Sequence, residues 1–139
     1  MFKKTCLALI VLLVAATVLT ACGGPKQPDL IPSPPQYVNF CERSADGSRL
    51  VVHVKNIGTA DAASAEVQVE FFIASGSSQT VNGISVTGVL APGSETSIEV
   101  PIPAGCFNPD CDFKITIDPS NVVPESNETN NKVDGSCLG

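Results

Sequence analysis

The chain has 139 residues, of which 43% are hydrophobic and 5% aromatic, and eight basic residues stand against fourteen acidic ones for a formal net charge of −6. So acidic a chain offers no basic patch with interleaved rings, which argues against nucleic acid as a partner, and anionic lipid would repel its surface. Once the N-terminal segments are set aside, roughly 100 residues remain, enough for one small hydrophobic core and too few for two.

Lys3 and Lys4 precede an almost unbroken apolar run over residues 7–19. Such a run has the flanking charge of an export signal and is short for a free membrane-spanning helix. The four residues Leu19-Thr20-Ala21-Cys22 resemble the lipobox of bacterial lipoprotein precursors. That resemblance implies that residues 1–21 are a signal peptide and that Cys22 is lipidated and becomes the first mature residue. An ordinary secretory signal is the alternative, and either one exports the chain. Several acyl chains on Cys22 would make a durable membrane anchor, since each buried methylene contributes about 0.8 kcal/mol. Gly23 stands where aspartate would imply inner-membrane retention, so the outer membrane is expected in a host that has one. Residues 22–35 are rich in Pro and Gly and read as a hydrated tether, with the folded domain over residues 36–139.

Tyr37, Val38 and Phe40 suggest a first, edge-like strand. Leu50, Val52 and Val54 alternate with Val51, His53 and Lys55, and Val67, Val69, Phe71 and Ile73 alternate with Glu66, Gln68, Glu70 and Phe72. Both are period-two patterns of half-buried strands. The polar stretch 75–82 reads as a loop or a loose hairpin tip. Beyond the turn Ala91-Pro92-Gly93, Ile98, Val100 and Ile102 share one side of another strand. A further strand is expected over residues 112–118 and a last short one between Asn130 and Cys137. Six to eight short strands without helical spacing make the chain all-β. A single sheet would leave its apolar face uncovered, so two packed antiparallel sheets are expected, with a closed barrel as the alternative.

Cysteine usage agrees with export. With Cys6 in the signal and Cys22 lipidated, Cys41, Cys106, Cys111 and Cys137 remain, and four cysteines allow three pairings. Loop physics favours a local Cys106–Cys111 bridge and a Cys41–Cys137 bridge. The second would remove on the order of 4 kcal/mol of unfolded-state freedom by closing a loop of nearly the whole domain. Zinc is disfavoured by the spacing and by an oxidising compartment.

Asp118-Pro119 stops a strand, and the polar run that follows is dense in carboxylates and amides. These oxygens either satisfy the turn's own backbone or converge on a cation. The segments Val54-Lys55-Asn56-Ile57-Gly58-Thr59-Ala60, Leu90-Ala91-Pro92-Gly93, and Ile117-Asp118 leading to Val123-Pro124-Glu125-Ser126-Asn127-Glu128-Thr129-Asn130-Asn131 resemble CARDB, the cell-adhesion-related domain found in bacteria. The resemblance implies an immunoglobulin-like or fibronectin type III-like sandwich of about seven antiparallel strands on an exported protein. One copy, a lipid anchor and four domain cysteines depart from the tandem arrays of the family.

No chemistry is legible in the sequence. His53, the lone histidine, lies in an alternating strand with no recognisable nucleophile and acid around it, so no enzyme is expected. The expected function is noncatalytic contact with an envelope or surface protein or a glycan, and no cofactor is required. Phe72, on the polar side of its strand, is a candidate partner contact unless a bulge turns it inward. The alternative is a calcium-binding or small-ligand-binding lipoprotein, with Asp118, Glu125, Asn127, Glu128 and Asn130 as candidate metal ligands.

Overall fold

A computed structural model describes residues 24–34, 38–73, 76–85, 88–107 and 110–138. The expected signal peptide, Cys22 and Tyr37 lie outside them. Seven strands form two antiparallel sheets. Strands β1 (Leu30–Ser33), β2 (Arg49–Asn56) and β5 (Glu95–Pro101) make a sheet of order β1-β2-β5. Strands β3 (Glu66–Ile73), β4 (Ser77–Ser85), β6 (Asp110–Ile117) and β7 (Lys132–Leu138) make one of order β4-β3-β6-β7.

The core comes from the alternation that the sequence displays. Leu50, Val52 and Val54 of β2 and Val100 of β5 face Val67, Val69 and Phe71 of β3 and Phe113, Ile115 and Ile117 of β6, all buried. Register puts Phe71 opposite Phe113, Val69 opposite Ile115 and Val67 opposite Ile117, so the bulkiest side chains meet in cross-strand pairs. The rings of Phe71 and Phe113 are tilted by 53° with centroids 6.1 Å apart, within the range of favourable aromatic pairs. Burying each such side chain contributes about 1.5–3 kcal/mol.

Three sequence expectations are corrected. The tether expected over residues 22–35 is folded in its second half: Leu30–Ser33 is strand β1, pairing with β2 from Leu30–Asn56 to Ser33–His53. Its Pro32 is tolerated because β1 is a sheet edge, where no ladder N–H is required of it. The first strand expected near Val38 and Phe40 is instead a tight turn, with Asn39 and Phe40 both at positive φ. The polar stretch expected as a loop over 75–82 is strand from Ser77 onward, where Ser77–Ser85 forms β4 against β3; Ser75 lies outside the described residues. Residues 77–80 are exposed, so this edge strand is held by the ladder and carries no clear alternation for sequence reading to find.

Cys41 is bonded to Cys137, fastening the Val38–Phe40 turn to β7, and Cys106 is bonded to Cys111 across the entry to β6. Asn56, at the end of β2, is fully buried and uses its whole amide. Its Oδ1 accepts the N–H groups of Asp29 and Gly58 at 3.1 and 3.0 Å. Its Nδ2 donates to the carbonyls of Ala60 and Leu90 at 2.8 Å each. Gly58 is required beside it, since a Cβ there would lie 2.5 Å from the backbone of Gln27 and Asp29. Gly93, at φ 78°, closes the Ala91-Pro92-Gly93 turn by donating to the Asn56 carbonyl.

Truncating Asn56 strands the buried Asp29 N–H and Leu90 carbonyl, each costing about 1–3 kcal/mol, and the part-buried Gly58 N–H and Ala60 carbonyl. Asn56→Ala is expected to lose at least ~3 kcal/mol in urea unfolding under oxidising conditions. Ile57→Ala, at an exposed neighbour, should stay within about 0.5 kcal/mol of the parent.

Candidate functional site

The closing stretch and the start of β1 meet at one end of the sandwich, and the carboxylates there serve the backbone. Asp118, itself at φ 47°, accepts the N–H groups of Val122 and Val123 at 3.0 and 2.7 Å, one on each carboxylate oxygen. Glu125 accepts the Leu30 N–H on one oxygen and the Asn131 Nδ2 at 2.8 Å on the other. Glu128 accepts the Glu125 N–H at 2.8 Å, and the Asn127 side chain accepts the Thr129 N–H and hydroxyl in a local turn. Asp29 completes the lattice by accepting the Ser126 hydroxyl at 2.9 Å and the Asn130 Nδ2 at 2.8 Å.

This lattice joins Glu125, Glu128 and Asn130 of the residues that the sequence offered as metal ligands, whereas the side-chain bonds of Asp118 and Asn127 stay within their own turns. It adds Asp29, which sequence reading assigned to the tether. The signal that would have found Asp29 is its place just before Leu30, an apolar residue in a polar, proline-rich stretch. Among the described residues no group of three or more His, Cys, Asp or Glu side chains is arranged to hold a metal ion. Two buried carbonyl oxygens of the lattice, Asn130 Oδ1 and Asn131 Oδ1, have no hydrogen-bond partner.

Burial is the main reason that the Glu125 carboxyl is pushed up to about 7. Glu128 and Asp118 add repulsion, while the Leu30 N–H and the Asn131 amide oppose the rise. The protonated form suits the site. With Glu125 protonated, a turned-over Asn131 amide would present Oδ1 to the carboxyl proton in place of the Nδ2 that now donates to Glu125 Oε1.

His53 sits between two acids on the outer side of β2. Its Nε2 is 2.8 Å from Glu42 Oε2 and its Nδ1 is 3.3 Å from Glu95 Oε1. The nearby hydroxyl of Ser33 donates to Glu95 at 2.8 Å and not to the imidazole. A hydrolytic triad needs the histidine between nucleophile and acid. Here both ring nitrogens face carboxylates and neither reaches a nucleophile.

Phe72 points outward and is 39% exposed, with no bulge at its position; the register shift in β3 lies between Val67 and Val69. It pairs with Asp112 of β6, which in turn pairs with Ser136 of β7, while Lys114 pairs with Asp134. The period-two rule therefore puts Phe72, Asp112, Lys114, Asp134 and Ser136 on one outer sheet face. A cleft of about 410 Å³ borders this face, lined by Phe72, Asp112, Asp134 and Ser136 from it and by Phe113, Gly135 and Asn39.

The CARDB family model matches residues 27–134. A CARDB domain from Pyrococcus furiosus, crystallised in complex with di-metal ions, is similar at 26% identity and TM-score 0.50, covering 81% of this chain and 88% of that one. A domain from Methanosarcina acetivorans, of a protein described as a cell surface protein, is similar at 22% identity and TM-score 0.54 over 81% of this chain and 91% of that one. No functionally curated protein matches the sequence.

The raised carboxyl of Glu125 has a pH consequence. The folded chain keeps a proton there up to about pH 7 that the unfolded chain releases near 4.5. The stability contributed by this group is thus present below pH 4.5, is lost as pH rises toward 7 and is level above. Glu125→Gln keeps an acceptor for Leu30 and donates to Asn131 Oδ1 without a charge. Its melting temperature should hold across pH 4.5–7, where the parent falls relative to it by on the order of 5 °C. Parallel pH profiles would contradict the assignment.

Proposed function

The chain belongs to the CARDB family, and from that premise we propose that it is an exported, lipid-anchored envelope module that acts by noncovalent contact, in adhesion or assembly, with a surface protein or glycan. CARDB domains are noncatalytic surface domains. The reading is carried by how the side chains are used. The carboxylates of the closing stretch are hydrogen-bonded to the fold itself, whereas the Phe72 face keeps an exposed ring beside a cleft. Anchoring at Cys22 and placement in the outer membrane of a diderm host rest on the signal-like run and the lipobox resemblance.

The test uses the full chain in an exporting host fed labelled palmitate, followed by cross-linking and recovery from solubilised envelope. The chain should carry the label and retain one specific partner. Cys22→Ser should lose the label, and Phe72→Ala should lose most of the partner without loss of folding. A chain that recovers nothing above a scrambled-surface control contradicts the reading.

A second reading, a divalent cation such as calcium at the closing stretch, draws support from the unpartnered Asn130 and Asn131 carbonyls and from the metal-bound Pyrococcus furiosus domain. Those carbonyls are neutral, and a cation would have to take Asp29 or Glu125 from its present donors. We therefore expect calcium titration to give no binding heat and to leave the melting curve unmoved. A saturable heat with a raised melting temperature would establish the second reading.

A further inference from the structure

We infer that the Phe72 cleft receives a basic side chain, arginine above all, from an extended segment of a partner protein. The inference rests on the reading of the chain as a contact module and narrows it from protein or glycan to a cationic protein segment.

Three observations converge on a cation. First, the cleft presents an exposed ring, and the negative face of an aromatic ring attracts cations. The chain already places one there: Lys114 Nζ lies 6.0 Å from the Phe72 ring centroid. Second, the polar lining carries two carboxylates, Asp112 and Asp134, on the same face. Among the described residues neither has a hydrogen bond or an ion pair, unlike the carboxylates at the closed end. Third, the chain as a whole carries a net charge of −6, which draws a basic segment toward the surface before contact.

The shape of the site favours guanidinium over ammonium. A planar guanidinium stacks on a ring while its N–H groups bond a carboxylate two at a time, and it gives up its hydration more readily than a lysine ammonium does. Asp112 and Asp134 are diagonal neighbours across β6 and β7, so one planar group on the ring can address one carboxylate and leave the other to a second donor. Asp134 and Ser136 belong to β7, one of the two edge strands of the sheet, so an extended segment lying along that edge reaches the cleft from the side. Lys114 is then a resident competitor, holding part of the ring and offsetting part of the negative charge until a better cation arrives.

The test is saturation-transfer NMR on the purified full chain in detergent, with acetyl-arginine-amide as probe. Its citrulline counterpart, of the same shape without the charge, and a neutral oligosaccharide serve as comparisons. Saturable transfer to the arginine probe is expected, weakened at least ~10-fold by Phe72→Ala and by Asp112→Asn/Asp134→Asn together. Lys114→Met should strengthen it several-fold with an unchanged melting curve, an outcome that a purely structural role for Lys114 would not give. Equal transfer to the citrulline probe, competition by the oligosaccharide, or an unchanged response in Phe72→Ala would overturn the assignment. If those failures occur while the cross-linked envelope partner is still recovered, the cleft assignment falls alone. Loss of the partner as well removes the contact reading on which it rests.

Discussion

One buried amide and two buried carboxylates hold together stretches of chain that the two sheets alone would leave apart. Asn56, Asp29 and Glu125 lie at one end of the sandwich, and each is hydrogen-bonded to backbone or side chain from a distant part of the sequence. Burying polar groups is costly unless donors and acceptors are matched. Those of Asn56, Asp29 and Glu125 are matched while Asn130 Oδ1 and Asn131 Oδ1 are not, so the lattice stabilises one arrangement through the former. Its consequence is that the chain is already part of the fold at Gln27, whose carbonyl accepts the N–H of Thr59. The domain therefore begins well before the first alternating strand.

This arrangement separates scaffold from surface. The closed end uses its acids to fix β1 and the closing stretch, and the disulfides fasten the Val38–Phe40 turn and the entry to β6. On the three-stranded sheet, His53 is enclosed by Glu42 and Glu95, so the lone histidine also has partners within the fold. The outer face of the four-stranded sheet is different. Among the described residues the Asp112 and Asp134 carboxylates have no partner, and the neighbouring ring of Phe72 is open to solvent. A residue type thus says little about its role in this chain: aspartate is architecture at position 118 and a candidate contact at position 134.

What the sequence revealed follows from which forces leave a periodic trace. Strands β2, β3, β5 and β6 bury one face, so Leu50 to Val54, Val67 to Phe71, Ile98 to Val100 and Phe113 to Ile117 alternate legibly. Strand β4 is an edge whose residues 77–80 are exposed on both faces, and backbone pairing leaves no mark in side-chain polarity. Strand β1 is four residues long with a proline inside, and its partner residues lie 20 to 26 positions away. Local composition therefore mimics a linker there. The closing stretch was legible as a dense polar turn, but the target of its carboxylates was not. Glu125 reaches the backbone of Leu30 across 95 positions, a contact that no spacing rule encodes.

The central claim is that the polar lattice makes the N-terminal edge strand an integral part of the domain, and native-state amide hydrogen exchange addresses it most directly. If the account is right, the Asp29 and Leu30 amides, bound to Asn56 Oδ1 and the Glu125 carboxylate, exchange only through global opening, as slowly as the Val69 and Ile115 amides of the core. Exchange at Asp29 and Leu30 at the rate of an open chain, with the core still protected, would contradict it.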